Sequence, residues 1–84
     1  MADVFLTPQA QEEFDTLPAV VKERMRRLFR RLADWPAVSG AKPLTGDLAG
    51  FYRLRTGDYR LRFYVRGDKV FVDRIGHRKD VYDD

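Results

Sequence analysis

Phe51-Tyr-Arg-Leu-Arg-Thr-Gly-Asp-Tyr-Arg-Leu-Arg-Phe-Tyr-Val-Arg-Gly-Asp-Lys-Val-Phe-Val-Asp-Arg-Ile75 decides the fold. Three runs, Phe51 to Thr56, Tyr59 to Val65 and Lys69 to Ile75, alternate in character and are separated by Gly57-Asp58 and Gly67-Asp68. Alternation with period two is the mark of a strand, and a short connection with glycine first marks a tight hairpin turn. The stretch therefore reads as a three-strand antiparallel meander. Side chains on successive positions leave opposite faces of a strand. Tyr52, Leu54, Tyr59, Leu61, Phe63 and Val65 fall on one face, and Phe51, Arg53, Arg55, Arg60, Arg62 and Tyr64 on the other.

Upstream, the period changes. Val21, Met25, Leu28, Leu32 and Trp35 recur at helical spacing, with Phe29 widening the stripe and Pro36 stopping it. Before them Thr7-Pro8 reads as a helix cap and first turn, and Ala10, Phe14 and Leu17 give a shorter apolar stripe that leaves Glu12, Glu13 and Asp15 outside. Pro18 separates the two helices, which pair as an antiparallel hairpin. Val4-Phe-Leu6 adds a fourth strand at a sheet edge. From Pro36 to Gly50 the chain reads as a long connection, anchored by Leu44 and Leu48. The expected fold is α+β: a short N-terminal strand and a helical hairpin packed on a small twisted antiparallel sheet of about four strands, in one domain spanning residues 1–84.

The 84-residue chain buries only a little over ~60% of the surface its unfolded form would expose, so its core is thin. It has no cysteine and one histidine, which excludes disulfides and the usual zinc ligand sets. No run approaches the ~20 apolar residues of a membrane span, and the first residues do not read as a leader, so a cytoplasmic protein with no membrane partner is expected. The net charge is +3, and arginine supplies twelve of the sixteen basic residues. Arginine's planar, permanently charged fork suits phosphate, which favours a polyanionic partner.

Downstream of the meander, Ile75-Gly-His-Arg-Lys-Asp-Val-Tyr82 places an imidazole, a guanidinium, an ammonium and a phenol within six residues. A strand ending at Gly76 can carry His77, Arg78 and Tyr82 across the arginine face. Phosphoryl chemistry uses such a set: cations for charge on the phosphate, and groups that exchange protons with nucleophile and leaving oxygen. The arginine face reads equally as the solvated side of a half-exposed sheet. The helical arginines at 24, 26, 27, 30 and 31 read either as contacts to an RNA backbone or as a solvated helix face.

Leu44-x-Gly46, Tyr52-Arg-Leu-Arg55, Gly57-Asp-Tyr-Arg-Leu61 and Arg74-Ile-Gly-His-Arg-Lys-Asp-Val-Tyr82 together resemble the RelE branch of the RelE/ParE toxin superfamily, and the likeness covers essentially the whole chain. The resemblance implies a RelE/ParE-like, microbial RNase-like fold. It implies a toxin that enters the ribosomal A site and cuts messenger RNA by attack of the ribose 2′-hydroxyl on the adjacent phosphate. It implies no metal or small-molecule cofactor, and partners in the ribosome, its messenger and ribosomal RNA, and a cognate antitoxin. Carried over, Arg53, Arg55, Arg60 and Arg78 bind the scissile phosphate, and Tyr82 stacks or assists proton transfer, with His77 a further acid or base. Arg62, Lys79, Arg27 and Arg31 are expected to contact RNA. Members of that branch place lysines where this chain has Arg53 and Arg55. Arginine does not give up its proton, so proton transfer shifts toward His77 and Tyr82. Two alternatives stand beside this reading: a ParE-type inhibitor of DNA gyrase, of the same architecture but disfavoured by the Tyr-Arg and Gly-His-Arg blocks, and a basic nucleic-acid-binding module without catalysis.

Overall fold

The computed structural model describes residues 1–81. Strand β1 (Asp3–Leu6) leads into helices α1 (Pro8–Asp15) and α2 (Ala19–Leu32). The two-residue strand β2 (Lys42–Pro43) and a 3-10 turn at Gly46–Leu48 follow, then β3 (Phe51–Thr56), β4 (Tyr59–Arg66) and β5 (Lys69–His77). Thr7 caps α1 as its sequence predicts, its Oγ1 accepting from the Ala10 amide at 3.2 Å.

The sheet has five strands in the order β1-β5-β4-β3-β2. It differs from the expected four-stranded antiparallel sheet in two respects. The connection before Gly50 contributes β2, and β1 pairs with β5 in parallel. The helical hairpin between β1 and the meander carries the chain back before it enters the sheet again, so the N-terminal strand lies beside the last one. The β3–β4 and β4–β5 hairpins turn at Gly57 and Gly67, both near φ +60°, a conformation that costs glycine nothing.

One face of the sheet packs on the helices. Val21, Met25, Leu28 and Leu32 of α2 meet Leu54, Leu61, Phe63, Val70, Val72 and Ile75, and all are buried. Trp35, just past the end of α2, stands edge-on to Tyr52 and Phe63 at 4.8 and 5.3 Å. Leu44 is buried as expected of a loop anchor, its amide donating to the Phe51 carbonyl. No helix among the described residues is long and apolar enough to cross a membrane.

The ladder between β4 and β5 contains one irregularity. Arg62 lies opposite Arg74 and Phe63 opposite Val72, so Asp73 is an extra residue in β5. Such a bulge shifts the alternation by one residue. Val70 and Val72 face the core before it, and Ile75 faces the core after it.

Candidate nucleic-acid interface

The register of β3 against β4 brings the arginines together. Arg53 pairs with Arg62 and Arg55 with Arg60, on the face away from the helices. Arg55 is exposed, Arg53 half-buried and Arg60 buried at 6% exposure. Like charges directly opposite each other on neighbouring strands destabilise a sheet. At Arg62 the opposing charge comes from Asp73. Arg62 donates from Nε and Nη2 to the two oxygens of Asp73 at 3.0 and 2.8 Å. That forked pair, on the bulged residue, engages the guanidinium that the sequence pattern grouped with RNA contacts.

His77 does not share the arginine face. It lies opposite Tyr59 in the ladder, the two rings 5.4 Å apart, and Tyr59 packs against the core. The bulge is the cause: without the extra Asp73, position 77 would fall on the other side of the pleat. His77 lines an open cleft of about 300 Å³ beside Glu13, Leu17, Pro18, Tyr59 and Asp80. Its Nδ1 accepts from the Lys79 amide at 3.2 Å, and its carbonyl accepts from the amides of Asp80 and Val81. It therefore holds a turn.

That turn leads the chain back toward the arginines. Gly76 lies opposite Arg60, and a Cβ on Gly76 would come within 3.2 Å of a methyl of the buried Val81. The Arg78 amide donates to the Asp58 carbonyl at 2.8 Å, tying the turn to the β3–β4 hairpin. The side chains of Arg78 and Lys79 are exposed at this end of the sheet. Tyr82 lies outside the described residues.

Two residues that carried no expected role in the site prove to anchor it. Beyond the end of β1, the exposed edge of β5 is satisfied by Glu13 of α1, whose carboxylate accepts from the Ile75 amide at 2.8 Å and from Arg74 Nε at 3.0 Å. Arg74 in turn donates to the Asp80 carbonyl at 3.2 Å. Glu13, read from its helix position as solvent-facing, instead supports the C-terminal turn through Arg74. Its only sequence signal is its place in the last turn of an amphipathic helix.

Arg27 and Arg31 belong to α2 and lie across the sheet from Arg53, Arg55 and Arg60; both are exposed, and Arg31 donates to the carbonyl and hydroxyl of Ser39. Arg24 lies beside the β3–β4 turn, with Nη1 3.3 Å from where a Cβ on Gly57 would stand. The arrangement thus has a concentrated cationic face and, on the other side of the sheet, a dispersed helical one.

The family model of the ParE toxin of type II toxin–antitoxin systems matches residues 4–82. Toxin RelE3 of Methanocaldococcus jannaschii is 27% identical over 70 residues, 80% of each chain. A chain of the toxin–antitoxin complex RelBE2 from Mycobacterium tuberculosis superimposes with a TM-score of 0.82 at 29% identity, covering 94% of this chain and 93% of that one. The isolated RelE toxin of E. coli shares the fold, with a TM-score of 0.77 at 20% identity over 92% of this chain and 84% of that one. Matched over nearly its whole length, the chain belongs to the RelE/ParE family, as a toxin of a type II toxin–antitoxin system.

Proposed function

We propose that this toxin is a ribosome-dependent endoribonuclease that cuts messenger RNA in the A site. The observation that carries the reading is the β3–β4 register, which sets Arg53, Arg55 and Arg60 on one face with the C-terminal turn folded at its end. In the reaction the ribose 2′-oxygen attacks the adjacent phosphorus and the bond to the 5′-oxygen breaks. The products are a 2′,3′-cyclic phosphate and a 5′-hydroxyl. One proton leaves the 2′-hydroxyl and one is delivered to the departing oxygen.

Negative charge accumulates on the non-bridging phosphate oxygens, and fixed guanidinium groups stabilise it there; losing one such donor costs roughly 10²–10³ in rate. Arg55, Arg60 and Arg53 take this role, and Arg78 joins them from the turn. Arginine keeps its proton, so the transfer falls to another group. With His77 across the sheet and its Nδ1 engaged, we assign His77 to positioning the turn and Tyr82 to the proton.

The same face gives the toxin its means of control. Solved relatives include complexes with antitoxins, among them RelB. An acidic antitoxin segment lying on the arginines would exclude RNA. A toxin acting on translating ribosomes would work in the cytoplasm.

The test is to induce the wild-type chain and Arg55→Ala, whose side chain is exposed and leaves the fold intact, and to map transcript ends. Wild type should arrest growth with new 5′-hydroxyl ends inside translated codons, and Arg55→Ala should lose most of them. Growth arrest with intact transcripts and induction of the DNA-damage response would instead identify a gyrase poison, the activity suggested by the ParE name of the matching family.

A further inference from the structure

We propose that the end of the sheet face farther from the Arg55/Arg60 pair is a base-binding subsite for single-stranded RNA, formed by Phe51, Tyr64 and Arg66. The inference rests on the nuclease reading and states where nucleotides flanking the cleaved phosphate lie. Phe5, Phe71, Tyr64 and Phe51 stand side by side across β1, β5, β4 and β3, each directly opposite the next in the register. Their ring centroids are 5.4, 5.3 and 5.5 Å apart. The row lies on the face away from the helices, and Phe5 at its edge is 42% exposed. Aromatic pairs of this kind stabilise a sheet by themselves. Two further features go beyond that role.

The first is charge. The Arg66 guanidinium lies 5.3 Å from the Tyr64 ring centre and that of Arg62 4.9 Å from Phe51. The second is space. An open groove of about 480 Å³ runs beside the row, lined by Ala49, Gly50, Phe51, Tyr64, Val65 and Arg66. Gly50, at φ +96°, leaves its side of the groove open, because a Cβ there would meet nothing within 4 Å.

Stackable rings beside a line of cations are what sequence-tolerant binding of single strands requires. Arg53, Arg55, Arg60 and Arg66 are spread along this same face, where Asp73 is joined to Arg62. A strand rises about 3.3 Å per residue, so the Phe51/Tyr64 pair lies roughly 13 Å from the Arg55/Arg60 pair, within reach of one short run of nucleotides. A duplex keeps its base faces stacked internally and cannot use the groove.

The test uses wild type, Tyr64→Leu and Arg66→Ala, with folding checked by thermal melting. The probes are a 2′-O-methyl single-stranded oligoribonucleotide long enough to span the face, and a dinucleotide that covers only the arginine end. Stacking on one aromatic ring corresponds to roughly 5- to 100-fold in affinity. Tyr64→Leu should weaken the long probe by that factor and leave the dinucleotide unchanged. Arg66→Ala should weaken it less and reduce its salt dependence. If wild type cuts transcripts but Tyr64→Leu binds the long probe equally well, the subsite is overturned while the nuclease reading stands. If wild type neither cuts transcripts nor binds the probe, both fall. Tyr64-dependent binding of an acidic peptide without binding of RNA would assign the groove to a protein and overturn the proposal.

Discussion

The two faces of the β3–β4 pair come from the same interleaved residues but differ in how they are completed. Tyr52, Leu54, Leu61 and Phe63 face the helices, and their value lies in closing out water. Phe51, Arg53, Arg55, Arg60, Arg62 and Tyr64 face away; part of this side is closed by the C-terminal turn at Val81, and the rest is left to rings and guanidinium groups. The inner face spends its side chains on stability. The outer one gathers arginines in opposed pairs, Arg53 with Arg62 and Arg55 with Arg60.

The largest expected effect tests that division directly. Phe63→Ala should cost about 3–5 kcal/mol, because it empties the centre of the core. Tyr64→Ala, one residue away on the other face, should cost about 1 kcal/mol or less, the scale of a cross-strand pair. Chemical denaturation of the two variants measures both, and equal losses would mean that the outer face is as much a core as the inner.

The next effect tests whether the outer face tolerates its charges because of Asp73. Removing that carboxylate leaves the half-buried Arg62 beside Arg53, and Asp73→Ala should cost about 1–3 kcal/mol. Adding Arg62→Ala should recover part of the loss, a coupling that a double-mutant cycle reads directly.

A smaller effect concerns the brace between the two sides. Glu13→Gln weakens the acceptor of the Ile75 amide and of Arg74, and should cost about 1–2 kcal/mol. Hydrogen exchange at Ile75 and proteolysis within residues 78–81 should both quicken. Glu12→Gln, on the exposed side of the same helix, should stay within about 0.5 kcal/mol and change neither. Equal behaviour of the two variants would remove Glu13 from the support of the turn.

The smallest effect belongs to the helical arginines. The contact between Arg26 and Glu23 is 3.5 Å long and half exposed, so Arg26→Ala should change stability by less than about 0.5 kcal/mol. In contrast, Arg55→Ala should leave stability similar yet remove most transcript cleavage.

Much of this architecture is legible in the chain. The Thr7 cap, the α2 stripe, the two Gly-Asp turns and the Leu44 anchor are local signals, and each appears where its spacing puts it. The grouping of Arg53, Arg55 and Arg60 follows from alternation before any irregularity intervenes. Less legible are the groups that long-range partners reassign. Glu13 meets residues 61 and 62 positions away. Arg62 meets Asp73 because a bulge turns that carboxylate toward it.

Sequence by itself determined the two periods, the positions of the turns and the sorting of the meander into an apolar and a cationic face, because period and turn chemistry are properties of neighbouring residues. Tertiary structure alone decided that β1 runs parallel to β5, that Arg62 is engaged, and that His77 lies with Tyr59 rather than with the arginines. One extra residue in β5 exchanges the faces of everything after it, and such a bulge is fixed by the partner strand and the carboxylates around it.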